Sequence, residues 1–232
     1  MKSLLKIFSV ILTYAAGFAG LLSAAPGLAQ DSEKTPANRE DRLEWFRDAG
    51  FGMFIHWSVD SQLGSVISHS MVGADKDYLK RFVEDLPKTF NPRKFYPRDW
   101  AVLARLAGMK YVVFTAKHHS GFCMFDTQTT DFNIMHTPFK RDITAEIVEA
   151  FREQGIAPGL YFSPDDFWWL DKNGIPIQRS NPEVQPSNNP GLMAHDQAQV
   201  RELLTKYGPI DIIFLTARQR DCAIWPGNFS QT

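Results

Sequence analysis

The sequence predicts an α/β protein of the TIM-barrel type, built on parallel strands. Short apolar runs rich in β-branched and aromatic residues alternate with segments of helical periodicity, which is the pattern of repeated βα units. Polar residues follow these runs directly, as they do where the carboxyl ends of barrel strands form a site. Because four such units occur in 232 residues, we expect the first half of a (β/α)8 barrel.

The amino-terminal residues have the features of an export signal. Two lysines precede an apolar run from Ile7 to Leu22, and small residues lead to a cleavage point after Ala29. We therefore expect a signal peptide over 1–29, a polar arm over 30–42 and a periplasmic or secreted product. A membrane anchor is the alternative, but the run is short and broken by glycines.

The first unit begins with a short helix over Leu43–Gly50, closed by its glycine. Phe51–Trp57 follows as the first buried strand. The region from Ser58 to Pro97 is long and irregular, with a charged helical patch at Lys76–Glu84. A loop of this length after a strand is typical of one that shapes a pocket.

The second unit has an amphipathic helix over Arg98–Gly108, and the residues on its apolar face are Trp100, Leu103, Ala104 and Ala107. The central strand begins at Tyr111 with a run that suits burial on both faces. The next helix has Ile143, Ile147 and Phe151 on its apolar face and Gly155 as its stop.

The third strand is predicted over Ile156–Ser163, with Pro158 near its start, where a missing N–H is tolerated. The Pro- and Asn-rich segment Gly174–Pro190 indicates a surface loop. A helix over Leu192–Tyr207 then leads to the fourth strand, Ile210–Leu215.

Charge and cysteine content exclude some functions. The 25 basic and 26 acidic residues nearly cancel, so nothing favours nucleic acid or an anionic membrane as a partner. Cys123 and Cys222 could pair in an oxidising compartment, but export does not require a disulfide and we predict none.

Polar residues at two strand ends are the candidate site. Lys117, His118 and His119 end the central strand, and His56 and Trp57 end the first. Since parallel strands end at the same edge, we expect these side chains to share one sugar-binding floor. Adjacent histidines that only cap a strand are the alternative, and a histidine metal site is weaker because no carboxylate lies at ligand spacing.

A second candidate follows the third strand. Trp168 and Trp169 stand beside Asp165 and Asp166, which is a composition suited to a sugar platform with hydrogen-bond acceptors. The same aspartates are equally suited to capping a turn. The sequence leaves both interpretations open.

Several motifs, in order along the chain, resemble those of the bacterial α-L-fucosidases over residues 43–215. This family consists of retaining exo-glycosidases with a (β/α) barrel followed by a β-sandwich. The motifs are Trp45-Phe46, Phe51–Trp57, Lys117–Phe122, Thr130–Asn133, Arg141-Asp142 and Tyr207–Asp211.

The resemblance implies a substrate and its binding residues. The substrate would be a fucosylated glycan or oligosaccharide with a terminal α-L-fucosyl group, and no metal or cofactor would be needed. The histidines would hydrogen-bond the fucose hydroxyls, Trp57 would line the wall, and a pocket aromatic would come from Phe162 or its neighbour Tyr161. The histidines are His56, His118 and His119.

The chain departs from the family pattern around the site. Ser58 stands where many members have glycine, Val66–Ser70 replaces a Glu-Trp pair, and Ser120 replaces an acidic residue. These changes resemble those of a fucosidase subgroup, so the resemblance leaves the preferred linkage open.

A further departure affects catalysis. In the family, Asp-Gly follows the fourth strand and this Asp is the nucleophile, whereas here Thr216-Ala217 follows Leu215. A neutral hydroxyl does not replace the carboxylate of a retaining glycosidase, so no catalytic residue is intact and we expect an inactive form. A non-catalytic fucose- or glycan-binding module is the alternative function.

The sequence after Phe214 suggests how Thr216-Ala217 came to replace Asp-Gly. With suitable synonymous codons, the frame one base earlier reads Leu-Asp-Gly after Phe214, so a one-base loss near that codon would explain the change. We therefore divide the chain into the signal peptide, the arm, a partial fucosidase-type barrel over 43–215 and an aberrant, frame-shifted tail over 216–232, with the acid/base residue expected beyond Thr232.

Overall fold

The computed structural model describes residues 39–216, which are built around one four-stranded parallel sheet. The strand order is β1-β2-β3-β4, and each strand pairs in parallel with the next. The strands are β1 (Gly52–Ile55), β2 (Tyr111–Lys117), β3 (Ala157–Phe162) and β4 (Ile212–Leu215). The predicted parallel α/β architecture is confirmed, and closure into an eight-stranded barrel stays a prediction.

Helices connect the strands. They are α1 (Glu40–Ala49), α2 (Lys76–Glu84), α3 (Leu86–Thr89), α4 (Pro97–Leu106), α5 (Ile143–Glu153), α6 (Phe167–Lys172) and α7 (Pro190–Lys206). The predicted charged patch is α2, whereas α3 and α6 were not predicted. Helix α1 begins at Glu40, inside the arm predicted for 30–42. Within the described part of the chain, no helix is long and apolar enough to cross a membrane.

The core lies between the sheet and the helices. Residues Val112 to Lys117 of β2 are all buried, as predicted for the central strand. Helix α5 faces the sheet through Ile143, Ile147 and Phe151, the predicted apolar face, and all three are fully buried. Burial of side chains of this size stabilises the fold by roughly 1.5–3 kcal/mol each.

The predicted apolar face of α4 is wrong in part. Leu103 is 63% exposed, whereas Ala101 and Ala104 are buried and Trp100 is partly buried. Helix α4 packs against α5, and its alanines let the two helix backbones approach closely. The buried stripe is therefore rotated towards the small residues.

The strand predicted at Phe51–Trp57 is confirmed as β1, but the prediction that it is buried is wrong in part. Phe54 of β1 and Phe214 of β4 are each 47% exposed, because among residues 39–216 both strands lie at the edges of the sheet. Their rings meet edge to face, with centroids 5.5 Å apart, and each ring also contacts Tyr161. These three aromatic rings form a cluster in which each ring contacts the other two.

Three predicted segments lie wholly or mostly outside the described residues. They are the signal peptide 1–29, the arm as far as residue 38, and the tail from residue 217 to Thr232.

Candidate functional site

Two histidines and one tyrosine meet at the carboxyl edge of the sheet. His56 follows β1, His118 follows β2, and Tyr161 lies near the end of β3. The ring centroid of His56 lies 4.6 Å from that of His118 and 4.9 Å from that of Tyr161. Parallel strands place their ends side by side, so the predicted common floor is present for these residues.

His56 is the exposed member of the group. Its Nδ1 lies 3.0 Å from the Thr115 hydroxyl, and that hydroxyl donates its own hydrogen to the Ile55 carbonyl at 2.8 Å. We therefore assign the imidazole hydrogen to Nδ1, which makes Nε2 a hydrogen-bond acceptor. Burial lowers the pKa of His56, which favours this neutral form.

His118 is held by Tyr161. The two rings stack with centroids 5.1 Å apart, and the Tyr161 hydroxyl lies 3.1 Å from His118 Nε2. Burial, together with the neighbouring His119 and His56, lowers the pKa of His118 to about 2. His118 is therefore a neutral imidazole, and its Nδ1 has no hydrogen-bond partner among residues 39–216.

His119 belongs to a network of loops around the edge of the sheet. Its Nδ1 hydrogen-bonds the Ser163 hydroxyl and lies 3.5 Å from an Asp165 oxygen. Arg179 binds the same carboxylate oxygen at 2.6 Å and also donates to the Ser68 carbonyl at 3.0 Å. Burial and the Arg179 charge lower the pKa of His119 to about 3. Arg179 thus ties the loop after β1 to the loop after β3.

Thr216 lies at the same edge, directly after β4. Its backbone N–H donates to the Phe162 carbonyl at 3.3 Å, continuing the ladder between β3 and β4. Burial raises the pKa of the Tyr161 hydroxyl, and the nearby Thr216 side chain offsets part of that shift. The residue predicted to replace the nucleophile is therefore beside the tyrosine of the site.

Two of the predicted sugar contacts lie elsewhere. The Trp57 ring packs among Phe90, Phe95 and Trp100, with centroids 5.7 to 6.1 Å away, and so belongs to a separate aromatic cluster. The Phe162 ring is fully buried, 4.3 Å beneath the Lys117 ammonium. Of the two alternatives for the pocket aromatic, Tyr161 is the one that lies with the histidines.

The segment after β3 is a capped helix. Asp166 is fully buried and its Oδ1 accepts from the Trp169 backbone N–H at 2.8 Å, which is an N-cap. The Trp168 ring stacks on Phe132 with centroids 6.2 Å apart. For Asp166, the structure supports the capping interpretation.

The histidine turn is formed by residues His118 to Gly121, with the Gly121 N–H donating to the His118 carbonyl. A buried carboxylate that the sequence did not reveal lies behind this turn. Asp60 is fully buried and accepts hydrogen bonds from Ser70 and, at 3.3 Å, from Ser120. Burial raises the pKa of this carboxyl group. Ser120, which stands where the family has an acidic residue, thus contacts a carboxylate supplied by the loop after β1.

One ring nitrogen of each histidine has a hydrogen-bond partner within the protein. His56 is bonded to Thr115, His118 to Tyr161 and His119 to Ser163. Over residues 39–216, no set of three His, Cys, Asp or Glu side chains is arranged to hold a metal ion.

Comparison with known proteins identifies the family. A family model described as alpha-L-fucosidase matches residues 23–224, which is most of the chain. The chain belongs to the α-L-fucosidase family.

Relatives of this α-L-fucosidase family member include solved bacterial enzymes. The α-L-fucosidase isoenzyme 1 from Paenibacillus thiaminolyticus is 37% identical, with a TM-score of 0.60 over 76% of this chain and 42% of that chain. The α-L-fucosidase AlfC in complex with Fucα(1,6)GlcNAc is 27% identical, with a TM-score of 0.60 over 77% of this chain and 62% of that chain. These solved relatives match about three quarters of this chain.

The tissue α-L-fucosidase of Homo sapiens is 35% identical over 167 residues, which cover 64% of this chain and 34% of the human protein. A Caenorhabditis elegans relative, called a putative α-L-fucosidase, is 30% identical over 71% of this chain and 36% of its own length. The chain therefore spans about a third of these two relatives.

Proposed function

We propose that this chain recognises terminal α-L-fucosyl groups of glycans at the histidine edge of its sheet and does not hydrolyse them. The observation that carries the proposal is the group formed by His56, His118 and Tyr161, with the Thr216 side chain against the tyrosine hydroxyl. The relatives are named α-L-fucosidases, and this group lies at the strand edge where such a site is expected.

Neutral histidines suit a hydroxyl-rich ligand. With its hydrogen on Nδ1, the His56 Nε2 accepts a hydrogen bond from a sugar hydroxyl. The lowered pKa values of His118 and His119 keep these rings uncharged at neutral pH. The exposed faces of Phe54 and Phe214 supply apolar surface beside them, which matches the apolar face of a deoxysugar.

Hydrolysis with retention needs a nucleophilic carboxylate and a second carboxyl group about 5 Å away. Thr216 supplies only a hydroxyl at the end of β4. Three carboxylates beside the histidine turn already have other roles. Asp165 is bound to Arg179, Asp60 is buried among serines, and Asp166 caps α6. We therefore propose fucose binding without turnover for this sequence.

Two broader features belong to the same proposal. We propose that the sheet is the first half of a (β/α)8 barrel, since solved relatives with this fold match over the sheet and its helices. We also propose export, based on the basic and apolar residues within 1–29.

Calorimetric titration and a hydrolysis assay test this function together. The purified full chain is titrated with methyl α-L-fucopyranoside, with methyl α-D-fucopyranoside as the mirror-image control, and is then incubated with 4-nitrophenyl α-L-fucopyranoside. We expect saturable binding of the L-sugar alone and no nitrophenol above background. A chain that binds neither sugar refutes recognition, and nitrophenol release at a rate typical of an enzyme refutes the role given to Thr216.

A matched pair of variants locates the binding site. His56→Ala removes an exposed acceptor of the site, whereas His136→Ala removes an exposed histidine from the turn Ile134–His136. We expect the first variant to lose at least tenfold in affinity and the second to bind as the unmodified chain does. Equal affinities would place the sugar elsewhere.

A further inference from the structure

A buried ion cluster lies behind the histidine turn. The Lys117 ammonium is 3.1 Å from Asp166 Oδ2 and 2.8 Å from Asp196 Oδ1, and all three side chains are fully buried. Lys117 is the last residue of β2, whereas Asp196 comes from α7. A buried ion cluster is weak evidence for stability, because the desolvation of its charges offsets much of their attraction.

The cluster is connected to the histidines through the start of α6. Asp166 caps α6, and the backbone N–H groups of Phe167 and Trp168 donate to the carbonyls of His119 and Ser120 at 2.8 and 3.1 Å. The turn that carries the histidine pair is therefore bonded to the helix that Lys117 anchors.

Gly121 makes this close approach possible. Its φ of +86° is in the left-handed region, and a Cβ atom at this position would collide with the Asp166 carboxylate. The turn and the cap are thus in direct van der Waals contact as well as hydrogen-bonded.

We infer that Lys117 is a positioning residue for the fucose site, acting through Asp166 and the amino end of α6 to fix the orientation of His118 and His119. This inference rests on the proposed function. Lys117 faces away from the sugar side of the sheet, since its ammonium lies over the buried Phe162 ring, so it acts on the ligand only through other residues.

The two carboxylates have different roles. Burial raises the pKa of Asp166, but the Lys117 charge and a hydrogen bond from His195 outweigh it and lower that pKa to about 2, so this carboxylate is the ionised partner. Burial raises the pKa of Asp196 to about 8, and its Oδ2 has no hydrogen-bond partner among residues 39–216. Asp166 caps α6, whereas Asp196 lies in α7, so the Lys117–Asp166 pair carries the positioning and we expect Asp196 to be dispensable for it.

Neutralising variants separate positioning from stability. The triple variant Lys117→Met, Asp166→Asn, Asp196→Asn leaves no charge in the cluster, and asparagine still caps α6. The control is Asp196→Asn alone, which retains the Lys117–Asp166 pair. For each full-length variant, thermal unfolding, the affinity for methyl α-L-fucopyranoside and the imidazole 15N resonances of His118 and His119 are measured.

We expect the control to bind within twofold of the unmodified chain. The triple variant should unfold cooperatively but lose at least tenfold in affinity, with both histidine resonances displaced. A folded triple variant with unchanged affinity and unmoved resonances would overturn the inference.

Two further results keep the test decisive. If the triple variant does not fold, Asp166→Asn alone retains the cap, and we expect it to lose at least threefold in affinity with displaced resonances; no change in either refutes positioning. If the unmodified chain does not bind the sugar, the proposed function fails. The positioning role of Lys117 is then decided by whether the His118 and His119 resonances of the triple variant differ from those of the unmodified chain.

Discussion

The Tyr161 hydroxyl lies 3.1 Å from Nε2 of His118, and the two rings stack at an angle of 12°. This pair joins the ends of β2 and β3 and fixes one face of the His118 ring. Because burial keeps the imidazole neutral, the contact is a hydrogen bond between neutral groups. Its loss should therefore cost about 1 kcal/mol.

Tyr161→Phe should weaken fucose binding roughly five- to tenfold, because it removes this hydrogen bond and leaves the stacked ring in place. Calorimetric titration with methyl α-L-fucopyranoside measures the change. Tyr207→Phe is the control, since the Tyr207 hydroxyl donates to Asp142 away from the histidines. Equal affinities of the two variants would show that the Tyr161 hydroxyl does not support the site.

Acid should destabilise the fold through His118 and His119. The pKa of each is lowered to about 2 or 3 in the folded chain and is about 6.5 when unfolded, so between these values the unfolded chain binds more protons. Their contribution is complete above pH 6.5 and is lost as the pH falls, by up to about 1.4 kcal/mol per pH unit for each histidine. Urea unfolding from pH 7.5 to pH 5 measures this slope.

His118→Gln and His119→Gln should each flatten that pH dependence, because glutamine does not titrate. His136→Gln is the control, since His136 is exposed. If the free energy of unfolding depended equally steeply on pH in all three variants, folding would not be what lowers the pKa of His118 and His119.

Gly121→Ala should destabilise the chain by about 2 kcal/mol or more. A methyl group at this left-handed position would collide with the Asp166 carboxylate. Gly155→Ala is the matched control, because Gly155 also has a positive φ but has no atom within 4 Å of an added Cβ, and roughly 1 kcal/mol is expected there. Urea unfolding compares the two. Equal losses of unfolding free energy in the two variants would mean that Gly121 is not in close contact with the Asp166 carboxylate.

Thr216→Asp should restore a nucleophile. A Bacteroides thetaiotaomicron relative was trapped as a covalent intermediate with 2-fluoro-fucosyl fluoride, a reagent whose good leaving group reduces the need for an acid catalyst. We expect intact-mass spectrometry to show one added fluorofucosyl group on the variant and none on the unmodified chain. Thr216→Asn is the uncharged control. Labelling of the unmodified chain would contradict the role assigned to Thr216.

The sequence predicted the parts of the fold that follow from periodicity. The apolar face of α5 and the buried β2 are as expected, because a regular stripe or a continuous apolar run fixes which residues face the core. The edge position of β1 was not predictable, since a short apolar run is compatible with either a central or an edge strand. For α4, the apolar pattern did not reveal that Ala101 and Ala104 are buried and that Leu103 is exposed.

The site residues that could be predicted are histidines at the ends of predicted strands, such as His56 and His118. Side-chain direction was harder to predict. Tyr161 and Phe162 are adjacent in β3 and so face opposite sides of the sheet, and sequence alone did not decide between them. The partners of Lys117 could not be predicted, because Asp166 and Asp196 come from distant segments that only the fold brings together.

The most direct measurement is the titration of full-length, histidine-labelled chain with methyl α-L-fucopyranoside, followed by the imidazole 15N resonances. We expect the resonances of His56 and His118 to move and saturate together, those of His136 not to move, and the sugar to be recovered intact. Resonances of His56 and His118 that stay fixed at saturating sugar would contradict fucose recognition at this site.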